Sequence, residues 1–496
     1  MSQFIVNCRL KIVDCRLQCL MSENFSKIKK LISKTDQLKT DPHSRLQVNR
    51  ADYKTILIKN APYIFTCDEN DKLKVRENYS ITIKDGIIER VAPTDELRAD
   101  EKKFDLVYDA GKRGGIVITP GLINAHAHPP MYLLRSSMSL DEGEDLNETL
   151  KNLYLWEKKM TPEDFAVSTI GDLTEEQKNG ISTTLSHYNF FHPADFAAET
   201  AGHNLVNAIS VASHVSPENR PELIEKLAAE TAGSVSRLAM SVHYLYRADA
   251  GALKKVKELV EKYGLLFTCH FAETPKAVKE TIKKHKLNEV RVLKKYGLLN
   301  SNTVVSHAVH LDLKEIKELV KGEVGVVHLP TSNTIHKSGT FPFWKFHDAG
   351  GYPRIALGTD SVVSKSRLDL LSEAFQTRMT HIFDRTVKFG SLFKMMTING
   401  ARILKYPDRG RILPGFRADI AFWKLKDRAS MPYDTDKPIT ILGNIITHHG
   451  GAVRDLMING RFTVKERRHT LINESRLLEL LQERHMEMRK RMKVKS

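Results

Sequence analysis

From Tyr53 to about Asp109 the apolar positions come in short β-branched runs: Thr55-Ile56-Leu57-Ile58, Tyr63-Ile64-Phe65-Thr66, Ser80-Ile81-Thr82-Ile83 and, after a Lys84-Asp85-Gly86 turn, Ile87-Ile88-Glu89-Arg90-Val91. Such runs, broken by turn residues, predict a small antiparallel sheet. The same texture returns near the other end, in Ala418-Asp419-Ile420-Ala421-Phe422-Trp423 and in Leu456–Val464, so the two ends are expected to combine into one β-sandwich. Between them strand-like runs alternate with helical stretches such as Pro162–Asn179, Pro221–Ala232, Ala252–Tyr263 and Lys314–Lys321. That rhythm predicts a parallel barrel. Its strands are expected near Ile116–Ala125, Ile181–Ser186, Leu205–Ser213, Leu238–Val242, Leu265–Cys269, Thr303–Ser306, Val324–Val327 and Arg354–Gly358. The fold class is therefore α/β, a (β/α)8 TIM-like barrel with a composite β-sandwich made by both ends of the chain.

One regularity stands just past these strands: His126 and His128, His187, His214, His243, His270, His307, His328 and finally Asp360. The C-terminal strand ends of such a barrel converge on one mouth, where active sites are built. Residues i and i+2 of a strand share a face, so His126 and His128 can offer two imidazoles to one ion. His187 and His214 are read as core histidines.

Composition narrows the class. The chain has 496 residues, 41% hydrophobic, and no continuous apolar stretch of membrane-spanning length. Five cysteines without a Cys-x-x-Cys pair argue against a disulfide framework and for a reducing, cytoplasmic setting. The net charge of +16 lies mostly in the tails: residues 1–50 carry ten Lys/Arg against four Asp/Glu, and 465–496 carry ten against five. A solvated basic face explains this more simply than nucleic acid or acidic lipid. Residues 1–50 lack signal- and transit-peptide character and are expected to stand outside the fold; Met21 is a plausible alternative start.

Zinc or iron needs nitrogen or carboxylate donors and, for catalysis, an open position. His126, His128, His270 and Asp360 can supply the donors, and a cation there makes water nucleophilic near neutral pH. Asp360 could also take that water's proton. Glu273, three residues after His270, suits a proton shuttle, and His307 an acid–base or electrophilic role.

The signatures Pro120-Gly121-Leu122-Ile123-Asn124-Ala125-His126-Ala127-His128, His270-Phe271-Ala272-Glu273-Thr274, Ser306-His307, His328-Leu329-Pro330-Thr331-Ser332-Asn333, Gly358-Thr359-Asp360-Ser361, Asn399-Gly400-Ala401-Arg402 and Pro414–Asp419 resemble the amidohydrolase superfamily, in its cytosine/guanine deaminase and triazine hydrolase branch, over about residues 55–465. The resemblance implies metal binding at His126, His128, His270 and Asp360, a shuttle at Glu273, and water or substrate orientation at His307. Binuclear members place a carboxylated lysine at the end of strand four, where this chain reads Ser241-Val242-His243-Tyr244; that implies one divalent metal ion, Zn or Fe. Arg135, Trp156 and His243 resemble positions that contact the nucleoside in S-adenosylhomocysteine/5'-methylthioadenosine deaminases, and a homo-oligomer is implied.

The expected activity is hydrolytic deamination of an amino-substituted nitrogen heterocycle, an aminopurine nucleoside first among them. A triazine-type chlorohydrolase or amidohydrolase is the rival within the class, and a catalytically silent scaffold with basic tails the rival outside it. The Phe341-Pro342-Phe343-Trp344 loop could stack on a flat heterocycle or pack in the core. The expected organisation is an N-terminal extension (1–50), the composite sandwich (51–115 and 405–465), the barrel (116–404) and a basic C-terminal helix or tail (466–496). The apolar positions Leu477, Leu478, Leu480 and Leu481 in that helix suit the barrel surface or a partner subunit. No specific nucleic acid and no membrane is expected as a partner.

Overall fold

A computed structural model describes residues 21–33, 53–97, 100–137, 146–211, 221–231, 234–364, 367–448 and 453–493. Eight parallel strands lie side by side in sequence order: β1 (Leu122–Ala127), β2 (Ile181–Tyr188), β3 (Asn204–Ser210), β4 (Arg237–Tyr244), β5 (Phe267–Phe271), β6 (Thr303–His307), β7 (Gly325–His328) and β8 (Ile355–Leu357). Every residue of these strands is buried except Arg237 and His243 of β4, as strands covered on both faces require. The connecting helices present one apolar stripe inward. Leu313–Lys321, for example, buries Ile316 and Leu319 and is started by a capping box between Asp312 and Glu315. Among the described residues no helix is long and apolar enough to cross a membrane.

The two chain ends do meet in one sheet. Thr55–Cys67 pairs antiparallel with Leu73–Lys84 and parallel with both Leu106–Asp109 and Ile116–Pro120. Ile116–Pro120 then pairs antiparallel with Ile420–Lys424, and the sheet continues through Asp455–Ile458, Arg461–Lys465 and Arg468–His469. Side chains from both ends, including Ile56, Ile81, Ile118, Phe422 and Phe462, share one apolar core.

The run expected as a single strand, Ile116–Ala125, is two strands that part at Gly121. Its first half belongs to this mixed sheet and its second half to the barrel. A Cβ at position 121 would collide with the Ser182 side chain, so glycine lets the chain pass from one sheet to the other so close to β2.

Residues 21–33 also depart from expectation, because they are part of the fold. Residues 21–32 are helical, with Phe25, Ile28 and Ile32 buried, and Phe25 stacks on Phe196 at 4.7 Å. The backbone of Ser33 bridges to Ile472. The C-terminal helix, Glu474–Lys493, packs against Pro162–Lys178 and Leu146–Glu157, which answers the choice between barrel and partner for its inner face. Leu477, Leu480 and Leu481 are buried there, whereas Leu478 is 62% exposed. The aromatic loop is core: Phe341, Phe343 and Phe346 are each 1% exposed, and Trp344 lies under the Arg385 guanidinium.

These contacts set unequal costs for similar changes. Leu477→Ala and Ile32→Ala should each lose about 2–4 kcal/mol of unfolding free energy, and Leu478→Ala less than about 0.5 kcal/mol. Denaturant melts of the full chain check this ranking.

Candidate active site

The strand ends deliver the site. His126 lies within β1 and His128 just beyond it, His270 in β5, His307 at the end of β6, and Asp360 three residues past β8. One ligand atom from each of His126, His128, His270 and Asp360 lies within 4.8 Å of the other three, and all four residues are buried.

Each imidazole is aimed from behind. His128 Nδ1 contacts the His187 carbonyl at 2.6 Å, and His270 Nδ1 the His243 carbonyl at 3.0 Å. A carbonyl can only accept, so both rings carry a proton on Nδ1, and in its neutral form each turns a bare Nε2 to the mouth. His126 Nδ1 is 2.7 Å from Ser306 Oγ, while its buried Nε2 has no hydrogen-bond partner. Asp360 Oδ2 accepts from Ser332 Oγ at 2.5 Å; its Oδ1 stands 3.3 Å from His128 Nε2 and 3.9 Å from His126 Nε2. A carboxylate oxygen facing lone pairs in a dry site is repulsive unless a cation lies between them. The donor set therefore fits a divalent metal ion, with outer hydrogen bonds of the kind that orient metal ligands.

Charge supports the same fit. Burial and the neighbouring imidazoles push His126, His187 and His270 well below the usual imidazole range, so they present neutral, lone-pair-bearing rings. Burial raises the Asp360 carboxyl, while positive charge on the side of His128, His307 and His126 lowers it, and the net direction is well below the carboxylate range; with those rings neutral, a bound cation is what would supply that charge.

Around this group lies a half-open cavity whose lining includes Glu273, His307, His243, Met131, Leu153 and Val363. Glu273 Oε2 accepts from Tyr244 OH at 2.5 Å and is 3.8 Å from His307 Nε2. His307 Nδ1 donates to Asn333 Oδ1 at 2.8 Å, which leaves Nε2 as an acceptor beside Glu273. Burial and the Glu273 charge push the Tyr244 phenol well above its ordinary value, so it remains a donor. Ala272, His307, Ala308 and Asp360 all have positive φ, between 45° and 72°. Such backbone is costly for non-glycine residues and collects at functional sites.

Of the remaining expected site residues, His243 lines the cavity, and Arg135 and Trp156 are not brought to it. The Arg135 guanidinium is bound to Glu175 at 2.8 Å and lies over the Tyr132 ring. Trp156 packs near-parallel to His485 of the C-terminal helix. Of the two histidines read as core, His187 is buried with neither ring nitrogen hydrogen-bonded, 4.7 Å ring to ring from His270, and His214 lies outside the described residues. His328 is stacked on Phe341 and leaves the cluster for the aromatic core. Sequence reasoning missed the residues that aim the others. Ser306, Ser332 and Asn333 stood inside quoted motifs without a role, Tyr244 was marked only by adjacency to His243, and His336, also in the cavity wall, carried no signal.

The amidohydrolase family model matches residues 117–463. The chain belongs to the amidohydrolase family. It is thus a hydrolase acting on carbon–nitrogen bonds. A 5-methylthioadenosine/S-adenosylhomocysteine deaminase of Pyrococcus furiosus is 30% identical over 439 residues, which cover 86% of this chain and 98% of the relative. Among solved structures, an adenosine deaminase of Xanthomonas campestris with bound zinc superposes with a TM-score of 0.78 at 22% identity, covering 88% of this chain and 98% of the other. An atrazine chlorohydrolase of Arthrobacter aurescens complexed with zinc gives 0.78 at 20% identity, covering 87% and 100%. At these identities the two structures establish the shared fold.

Chelator-treated hydrolase should take up one equivalent of divalent metal, read by titration calorimetry. At a hundredfold excess over Kd this uptake should stabilise it by about 2.7 kcal/mol. His270→Ala should remove both effects.

Proposed function

We propose that this hydrolase is a deaminase of an aminopurine nucleoside, of the class named by its relatives, methylthioadenosine or S-adenosylhomocysteine. The observation that carries this reading is the grouping of ligand atoms of His126, His128, His270 and Asp360 beside a cavity that the Tyr244-anchored Glu273 also lines, in a chain aligned with nearly the whole length of such a deaminase. His126, His128, His270 and Asp360 hold the metal. Three imidazoles and a carboxylate suit zinc or iron, and zinc, named with two similar folds, is the ion proposed. When bound, the ion supplies Lewis acidity that makes water nucleophilic near neutral pH.

The chain's own groups then move the protons. Glu273 donates to the ring nitrogen beside the amino-bearing carbon, which lets that carbon accept an oxygen nucleophile. His307, fixed through Asn333, offers Nε2 as the acceptor that orients the attacking water. Asp360 takes a proton from that water and returns it to the amino group, which leaves as ammonia while the ring keeps a carbonyl. Glu273 takes the proton of the new hydroxyl as the carbonyl forms and so regains the one it gave the ring nitrogen; only acid–base transfers are required, and water supplies the oxygen, the proton that ammonia carries away and the proton left on the ring nitrogen. His243, in the cavity wall, is proposed to contact the substrate. A homo-oligomer belongs to the same reading through the family resemblance, and a cytoplasmic setting through the cysteine usage.

Structural likeness to a chlorohydrolase keeps one second reading open to test, displacement of chloride or an alkylamine from a triazine. Metal-replete protein should release ammonia from one member of a panel of adenosine, methylthioadenosine, S-adenosylhomocysteine, guanine, cytosine, pterins and aminotriazines, and His270→Ala should not. Chloride or alkylamine release instead would support the second reading. No product of any kind from metal-loaded protein would place the substrate outside this panel. Glu273→Gln should retain its metal and lose at least about a hundredfold in kcat; residual activity within tenfold of the parent would remove Glu273 from the shuttle.

A further inference from the structure

β1, which carries His126 and leads into His128, and β8, which leads to Asp360, stand at the two ends of the barrel sheet, and among the described residues no ladder joins them. Their main-chain contact is one bridge between Ala127 and Asp360, with the Asp360 N–H donating to the His126 carbonyl at 3.0 Å. Asn124, fully buried on β1, takes the place of the missing ladder. Its Oδ1 accepts from the Thr359 N–H at 3.0 Å and from the His126 N–H at 3.4 Å. Its Nδ2 donates to Thr359 Oγ1 at 2.7 Å and to the Glu176 carboxyl. Main-chain N–H groups can only donate, so the oxygen end of the amide must face them.

Glu176, fully buried on the helix Pro162–Lys178, also accepts from Thr184 Oγ1 on β2. Its carboxyl thus holds the NH2 end of the amide, while the oxygen end gathers the residues on which the metal group depends: His126 itself and Thr359, the neighbour of Asp360. The close approach is visible at Gly358, where a Cβ would stand 2.7 Å from the His126 carbonyl oxygen.

We propose that Asn124, pinned by Glu176, is a positioning residue that sets the distance between the β1 and β8 ligands of the metal group. This rests on the metal reading proposed above. Both N–H groups and the oxygen of the amide are used, so reversing its polarity leaves buried groups unpaired.

The test reverses that polarity and then restores it. Asn124→Asp puts an acceptor against the Glu176 carboxyl, and in Asn124→Asp/Glu176→Gln the new amide supplies the donor that was lost. Zinc affinity is measured by chelator competition on protein whose circular dichroism matches the parent. Asn124→Asp should weaken zinc about 10–100-fold, Glu176→Gln less, and the double variant should bind more tightly than Asn124→Asp alone, a coupling that independent sites do not show. A role in stability alone would lower the melting temperature and leave zinc affinity unmoved. Parental zinc affinity in Asn124→Asp, or no recovery in the double variant, overturns the proposal. If Asn124→Asp does not fold, Thr359→Val removes the hydroxyl acceptor alone, and unchanged zinc affinity there overturns it equally. Failure of the parent to bind zinc would instead sink the metal reading.

Discussion

The site depends on hydrogen bonds made on the far side of each imidazole. The carbonyls of His187 and His243 occupy Nδ1 of His128 and His270, Ser306 meets Nδ1 of His126, and Asn333 occupies Nδ1 of His307. Without these partners, a cluster of buried neutral rings would be free to choose tautomer and rotamer, and their inner nitrogens would not converge. Two of these anchors are main-chain carbonyls at strand ends, so barrel geometry itself selects the tautomer. In the proposed reaction, metal affinity, substrate orientation and proton handling all inherit that choice.

The cost of the arrangement is local. A carboxylate beside bare lone pairs, positive φ at four non-glycine residues near the strand ends, and unpartnered nitrogens on His126 and His307 are all unfavourable in an isolated protein. They persist because packing elsewhere over-determines the backbone. The eight buried strands, the mixed sheet joined from both chain ends, and the terminal helices over Pro162–Lys178 supply that rigidity. The terminal segments, remote in sequence from the chemistry, thus belong to the frame that holds it.

The apolar part of the cavity has a different origin. Met131 follows β1, Leu153 sits on the helix Leu146–Glu157, and Val363 follows β8. These are connecting segments, the part of a barrel free to vary without disturbing the strands. On the proposed reading, reaction type is written in strand ends and substrate choice in the connecting segments, in which Arg135 and Trp156 are engaged in ion pairing and packing.

The amino-acid sequence alone determined the barrel and the union of its two ends, and it singled out His126, His128, His270, Glu273, His307 and Asp360, which the fold brings together. Strand alternation and position past a strand end are local properties, and chemistry-bearing side chains at such positions are legible one segment at a time. Tertiary structure decided what depends on pairs distant in the chain. It split Ile116–Ala125 between two sheets, because pairing partners at Ile420–Lys424 and at β2 compete for it. It drew residues 21–33 into the core, sent the Phe341–Trp344 loop inward, and turned Arg135 towards Glu175. It also assigned Ser306, Ser332, Asn333, Tyr244 and Asn124 their work, since a hydrogen bond between groups up to 235 residues apart, as between Asn124 and Thr359, leaves no periodicity in the sequence and exists only once the barrel has closed.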